Sequence, residues 1–240
     1  IGLTYPSGVA VIVSGNGASV DHNEVHATSY IAFLSGGEKN IIEHNLVYDV
    51  MRELNDGGCF FIVGTGNVIR ENYCHGVPEN EKQWAMHFLK GEDRFCWAYY
   101  MDEQATNCVF ERNVAVNTVR PNHMHWTKNC FIRNNIFIDK DIQMLTWPRT
   151  SGLTFEKNIL IADEVMISKP SDAMAALRNN IIYSPYGVAT IEEIVIYTQI
   201  DVRPFDFTDG NILADPLFVD RDHNNFAFKP DSPALKMGIE

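Results

Sequence analysis

Apolar residues frame a recurring asparagine along most of the chain. At seven places an asparagine follows one apolar residue by three positions and precedes another by two: Asn23, Asn45, Asn72, Asn113, Asn135, Asn158 and Asn180. The successive gaps are 22, 27, 41, 22, 23 and 22 residues. A period near 22 residues with alternating apolar positions indicates short strands in stacked coils.

A second set of strand-like segments lies about 11 residues before each asparagine, at a length typical of short strands. We therefore predict an all-β fold, a solenoid with coils of about 22 residues, and a right-handed parallel β-helix because parallel crossovers are right-handed. A propeller is excluded because its blades repeat at about 40 to 50 residues, and a sandwich does not repeat. A buried asparagine is costly unless its hydrogen bonds are satisfied, so the seven amides are expected to form an internal ladder.

The chain is predicted to be one domain over residues 1–240 and a fragment of a longer protein, because the first unit begins without a cap over the open end of the solenoid. The 41-residue gap contains an inserted loop at 76–97, interpreted as a cleft wall, with a disordered surface excursion as the alternative. Residues 190–240, where the repeat fades, are expected to form a C-terminal capping segment. The stretch 190–197 fits either a short helix or a strand.

Composition narrows the possible partners. The net charge is −12 and the pI is near 5.0, which disfavours nucleic acid and anionic membrane surfaces because Lys and Arg bind phosphate. The sequence contains no run of 18 or more apolar residues, so it predicts no membrane-spanning segment. Five cysteines show neither a disulfide framework nor zinc-type spacing. Cys108 and Cys130 are expected to stack in adjacent coils as buried thiols.

Several polar residues interrupt the apolar alternation around the insert. Asp56 precedes two glycines, which permit close approach of a ligand to the backbone. Asp102 and Glu103 end a strand, and Glu103 is expected in register with His125 of the next coil, about 5 Å away. His123 and His125 share one strand face; they could polarise a carboxylate, bind a sugar hydroxyl or ligate a metal, the last being least favoured.

The segments DGGCFFIVG, AYYMDE and HMHW occur in that order in consecutive coils. This series resembles carbohydrate-active right-handed β-helix proteins, and is most similar to glycoside hydrolase family 141. The resemblance covers residues 16–240 and implies that Asp56 and Asp102 are the catalytic acids, with Glu103 beside them. The chain departs from the pattern at Cys59, where a small residue is usual, and at Gln104, where glycine is common.

Glycoside hydrolysis needs one carboxylic acid to protonate the leaving oxygen and one carboxylate to attack or to activate water. Substrate is expected to contact His123, His125, Trp126, Trp84 and His87. Asp56 lies upstream of Asp102 along the strand axis, so this pair requires a bend at Gly57 and Gly58. Retaining and inverting outcomes both remain open.

The sequence therefore predicts a glycoside hydrolase that acts on a plant or microbial polysaccharide or oligosaccharide. It is expected to be secreted, periplasmic or on the cell surface, without cofactor or metal. A polysaccharide lyase using Lys90, Arg94 or His125 is one alternative. A non-catalytic glycan-binding or structural module is the other, because fold alone does not imply activity. The oligomeric state is not predicted.

Overall fold

The computed structural model describes residues 8–54, 56–77, 96–103, 105–118, 120–195 and 198–240. The first strands in chain order are β1 (Val11–Val13), β2 (Ser19–Asp21), β3 (Glu24–His26), β4 (Phe33–Ser35), β5 (Ile41–Glu43), β6 (Leu46–Tyr48), β7 (Gly57–Ile62), β8 (Val68–Arg70), β9 (Tyr73–His75), β10 (Cys96–Met101), β11 (Val109–Glu111), β12 (Val114–Val116) and β13 (Asn122–Met124).

The chain continues with β14 (Phe131–Arg133), β15 (Ile136–Ile138), β16 (Ile142–Thr146), β17 (Leu153–Glu156), β18 (Ile159–Ile161), β19 (Glu164–Lys169), β20 (Met174–Arg178), β21 (Ile181–Tyr183), β22 (Val188–Val195), β23 (Thr198–Pro204), β24 (Ile212–Leu213), β25 (Phe218–Asp220) and β26 (Asn225–Phe228). A 3₁₀ turn spans Arg221–His223, and the helix α1 spans Pro233–Met237.

Every third strand stacks on its equivalent in the next coil, which produces three sheets. Sheet A has the order β1-β4-β7-β10-β13-β16-β19-β22-β23, sheet B runs β2-β5-β8-β11-β14-β17-β20, and sheet C runs β24-β21-β18-β15-β12-β9-β6-β3. All neighbours within these sheets are parallel except β22 and β23. The protein is thus a parallel β-solenoid of about seven turns, as the sequence predicts.

The asparagine ladder is confirmed. The Oδ1 atom of each later asparagine accepts from the backbone N–H of the preceding one, for example at 2.9 Å from Asn113 to Asn135 and 3.0 Å from Asn135 to Asn158. Their side-chain amides bond in the same direction at 3.1 and 2.9 Å. The ladder also extends one step beyond the predicted seven, to Asn211.

A left-handed residue precedes each asparagine and makes the tight bend between sheets B and C. These residues, with φ between 53° and 56°, are His22, His44, Glu71, Arg112, Asn134, Lys157 and Asn179. A left-handed non-glycine residue is unfavourable by itself. The hydrogen bonds of the asparagine that follows stabilise the bend. The same pair, a left-handed residue and an asparagine, therefore recurs in each coil.

Apolar side chains from the three sheets fill the interior. The rings of Phe33, Phe60 and Tyr99 stack at successive centroid distances of 5.2 and 5.2 Å. The predicted inward residues on both sides of the ladder are buried in the middle coils, whereas Val20 and Leu177 in the terminal coils are partly buried. A continuous core therefore follows the solenoid axis.

Opposite charges alternate along the outer face of sheet B. The column in register is Glu43, Arg70, Glu111, Arg133, Glu156 and Arg178. Arg70 contacts Glu43 at 2.6 Å and Arg133 contacts Glu111 at 2.8 Å. Such surface pairs each contribute about 0.2–1 kcal/mol. Because the sign of the charge alternates from coil to coil, pairing a coil with the next but one would place like charges together.

The cysteines are only partly as expected. Cys108 and Cys130 are buried free thiols, which confirms the sequence interpretation. Cys59 and Cys74, however, form a disulfide with a Cα–Cα distance of 6.7 Å, so the expectation of no disulfide is wrong for this pair. They project inward from sheets A and C of one coil, and the sequence does not reveal that proximity.

The C-terminal segment lies along the side of the solenoid. Phe218, Ala234 and Ile239 of this segment pack against the outer face of sheet C. The side chains of sheet C in this cluster include Ile136 and Ile159. The segment 190–195 within the predicted cap belongs to a strand, β22. Burial of these isoleucines explains why the later strands of sheet C are apolar on both faces.

Candidate active site

Strands β10 and β13 bring two predicted site residues into contact on sheet A. Met101 pairs with Met124, so the following residues, Asp102 and His125, are neighbours. The predicted pairing of Glu103 with His125 is therefore wrong by one position. Glu103 instead occupies an exposed turn with φ of 42°.

Asp102 and His125 form a short, mostly buried contact. His125 Nδ1 lies 2.6 Å from Asp102 Oδ1, and the side chains are 20% and 13% exposed. The backbone N–H of Asp102 donates to Ile62 O and that of His125 donates to Met101 O, so both side chains leave from paired strands. The carboxylate is thus held in one orientation and remains within reach of solvent.

Asp56 lies close to this pair despite its position before β7. Tyr100 Oη donates to Asp56 Oδ1 at 3.4 Å, and Tyr30 Oη donates to the Asp56 backbone oxygen at 2.7 Å. Asp56 is left-handed, with φ of 60°. Tyr100 and Asp102 leave the same face of a strand two residues apart, so this contact brings Asp56 to the side of the sheet that carries Asp102. The predicted bend at Gly57 and Gly58 is wrong, because both glycines lie in β7 and pair with Cys96 and Trp97; the change of direction is at the left-handed Asp56 itself.

The pKa of Asp56 is raised above its ordinary value. Burial is the largest cause, followed by the negative charge of Asp102, and the hydrogen bond from Tyr100 opposes them. His125 also lowers the pKa and Glu103 raises it, both by smaller amounts. The Asp56 carboxyl therefore retains its proton to a higher pH than an ordinary aspartate does.

An aromatic layer supports the carboxylates. The Trp97 ring stacks on His123 with a centroid distance of 4.2 Å, and Tyr100 meets the same imidazole edge-on at 4.7 Å. All three side chains are at most 4% exposed. This layer fixes the position of Tyr100 and, through it, of Asp56.

His123 lies within that layer rather than on the surface. Its Nδ1 is 2.5 Å from Thr146 Oγ1. Burial and the charges of His125 and Arg120 hold the pKa of His123 well below its usual value. A neutral imidazole in this position supports the neighbouring rings.

Trp126, which directly follows His125 of the Asp102 and His125 pair, is an exposed aromatic residue. It is 48% exposed, and the guanidinium carbon of Arg149 lies 5.9 Å from its ring centroid. An exposed indole beside a cation offers a flat surface on which a sugar ring can stack. The predicted contacts Trp84 and His87 lie outside the described residues.

Sequence reasoning missed Tyr100, Trp97, Tyr30 and Thr146 as members of this cluster. For Tyr100 a signal existed, because strand alternation puts it on the same face as Asp102. For Tyr30 no signal existed, since its contact depends on how the chain around Asp56 folds back.

Gly58 is required by a close approach of β7 to β10. A Cβ atom there would lie 2.3 Å from the backbone oxygen of Trp97. We expect Gly58→Ala to lower the free energy of unfolding in urea by about 1–3 kcal/mol or more, because backbone must move. Gly15→Ala, whose Cβ would have no atom within 4 Å, is the control, with a change within about 0.5 kcal/mol. Equal effects of the two changes would contradict this account.

One His and Glu cluster in the described part of the chain has metal-ligating geometry, and it lies elsewhere. The ligand atoms of Glu43, His44 and Glu71 are within 4.8 Å of one another. Arg70 contacts Glu43 at 2.6 Å and Arg112 contacts Glu71 at 2.8 Å. The arginines already neutralise these carboxylates, and His44 Nε2 lies 3.0 Å from Glu71 Oε2, so ion pairs beside the charge column of sheet B account for the cluster.

No protein-family model, curated protein or solved structure matches this chain. The class that the structure defines is the parallel β-solenoid, a fold common to polysaccharide-active enzymes. Among the described residues, no helix has the length and apolar character to cross a membrane.

Proposed function

We propose that the protein is a glycoside hydrolase in which Asp56 is the general acid and Asp102 is the base or nucleophile. The observation that carries the proposal is the position of Asp56 beside Asp102: Tyr100, which leaves the same strand face as Asp102, donates to Asp56 Oδ1 at 3.4 Å. Burial and the charge of Asp102 raise the pKa of Asp56, and glycosidic bond cleavage uses one protonated carboxyl group and one carboxylate. The resemblance to glycoside hydrolase family 141 supports the same pair.

In this mechanism the Asp56 carboxyl donates its proton to the glycosidic oxygen as the bond to the anomeric carbon breaks. Asp102, oriented by His125 at 2.6 Å, attacks that carbon or takes a proton from the attacking water. Tyr100 holds the Asp56 carboxylate after proton transfer. Trp126 stacks on a neighbouring sugar ring. Secretion to the periplasm, cell surface or medium would give such an enzyme access to polysaccharide.

The test is a panel of plant cell-wall, algal and microbial glycans, with release of reducing ends as the readout. We expect Asp56→Asn to lower kcat/KM by about 10²–10⁴-fold, the usual contribution of a general acid. Asp222→Asn, which changes an exposed carboxylate (84% exposed side chain), is the matched control and should retain activity. Products that absorb as unsaturated uronates would support a lyase instead, and activity unchanged in Asp56→Asn would contradict the assignment.

The pH dependence of the folding stability gives a second measurement of the ionisation of Asp56. Because the folded-state pKa of this carboxyl is raised, its stabilising contribution is present at low pH and is lost as pH rises through the folded pKa. Above the folded pKa the ionised carboxylate therefore disfavours the fold. Asp56→Asn should unfold at the same or a higher temperature than the wild type at pH values above that pKa, so lost activity would not reflect lost structure.

A further inference from the structure

The last turn of the solenoid contains a cavity that the proposed active site does not use. Its volume is about 450 Å³, and Lys169, Met174, Leu177, Ile191, Arg203 and Phe205 are among its lining residues. Sheet B ends at β20, whereas sheets A and C continue with β22, β23 and β24. The cavity therefore occupies the place of the next strand of sheet B.

Lys169 forms the buried end of this cavity. It follows the inward residues Val165 and Ile167 on β19, and it is only 7% exposed. Its Nζ donates to the backbone oxygen of Pro170 at 3.3 Å, which uses one of three donors. Within the described ranges, no carboxylate lies within ion-pairing distance of this ammonium group.

Arg203 lies at the exposed side of the same cavity, and it too has no carboxylate partner among the residues that the structure describes. Arginines elsewhere on the solenoid, such as Arg70, Arg133 and Arg178, are paired with glutamates. Lys169 and Arg203 thus place two cations without a close carboxylate on one cavity. A buried cation is costly unless an anion compensates it.

The electrostatics agree with this geometry. Burial, followed by the charge of Arg203, lowers the pKa of Lys169, and the smaller opposing effects come from Glu193 and Asp172. Glu193 is the strand neighbour of Lys169 in register, yet it forms no close ion pair with it. The surrounding carboxylates therefore act on the Lys169 ammonium group from a distance and none forms an ion pair with it among the described residues.

We propose that this cavity binds a small monocarboxylate with an apolar body. The carboxylate would lie between Lys169 and Arg203, and the apolar part would contact Met174, Leu177 and Phe205. The volume fits a compact organic molecule. Asp206 and Asp209 also line the cavity, and they would repel a dianion such as phosphate more strongly than a single carboxylate.

Hexanoate is the probe, titrated into the wild-type protein by calorimetry at constant ionic strength. We expect saturable binding at one site, with hexanamide and inorganic phosphate binding at least tenfold more weakly. Lys169→Met keeps the length of the side chain and removes its charge, and it should weaken hexanoate binding at least tenfold. Arg203→Gln, at an exposed position, should also weaken binding and gives a second variant that is expected to fold.

Lys128→Met changes an exposed lysine on another turn and should bind hexanoate like the wild type. The proposal is overturned if hexanoate shows no saturable binding to the wild type. It is also overturned if hexanamide or phosphate binds as well as hexanoate, or if both Lys169→Met and Arg203→Gln retain full affinity.

Discussion

Replacing Asp102 with asparagine is expected to lower kcat/KM on the glycan substrate by about 10³-fold or more, which is within the range of a lost base and greater for a lost nucleophile. Asparagine has nearly the same shape, and its amide oxygen can still accept from His125 Nδ1, which lies 2.6 Å from Asp102 Oδ1. The substitution removes the negative charge and the basic oxygen. The melting temperature and KM should therefore change little while kcat falls.

The pH profile of the residual activity makes this prediction specific. The charge of Asp102 raises the pKa of Asp56, so its removal should lower that pKa. The alkaline limb of kcat/KM, which reports ionisation of the general acid, should move to lower pH in Asp102→Asn. Glu103→Gln is the matched control, because Glu103 is exposed and affects Asp56 less than Asp102 does. An unshifted limb would contradict the coupling between Asp56 and Asp102.

Replacing Asn135 with alanine is expected to lower the free energy of unfolding by about 3–5 kcal/mol. Asn135 is fully buried. Its Oδ1 accepts from the backbone and side chain of Asn113, and its Nδ2 donates to Phe110 O, Arg133 O and Asn158 Oδ1. Alanine leaves several of these groups buried without partners, and each costs about 1–3 kcal/mol.

Asn23→Ala is the control for this prediction. Asn23 makes the same type of contacts at the first described step of the ladder, including 3.0 Å from its Nδ2 to Asn45 Oδ1, but it is exposed. Water can replace the lost partners there, so the expected cost is below about 1 kcal/mol. Urea unfolding of both variants measures the difference. Similar costs at the two positions would show that the ladder does not stabilise the fold through its buried hydrogen bonds.

The solenoid was predictable because the same feature, an asparagine between two apolar residues, recurs in successive coils. A buried asparagine needs partners at a fixed height, so its flanking apolar residues recur in register. Asn211 escaped detection because Thr208, an apolar position in the other units, is polar there and lies beside the irregular last turn. The Cys59–Cys74 disulfide was missed because fifteen residues of separation does not reveal that two side chains converge inside one coil.

The site was less predictable because loops between the repeats differ in length. Asp102 lies 11 residues before its ladder asparagine, Asn113, whereas His125 lies 10 residues before Asn135. Aligning the two coils on these asparagines therefore places Glu103, instead of Asp102, beside His125. Strand pairing removes that one-residue error. The approach of Asp56 to Tyr100 depends on a left-handed backbone at Asp56, a conformation that residue spacing does not encode.

A carbon NMR titration of side-chain-labelled protein, which measures the pKa of the Asp56 carboxyl, tests the proposed acid and base pair without needing a substrate. We expect Asp56 to titrate above its ordinary range in the wild type and Asp102→Asn to lower the pKa, while burial keeps part of the increase. An Asp56 carboxyl that titrates in the ordinary range, and does not respond to Asp102→Asn, would contradict the proposed acid and base pair.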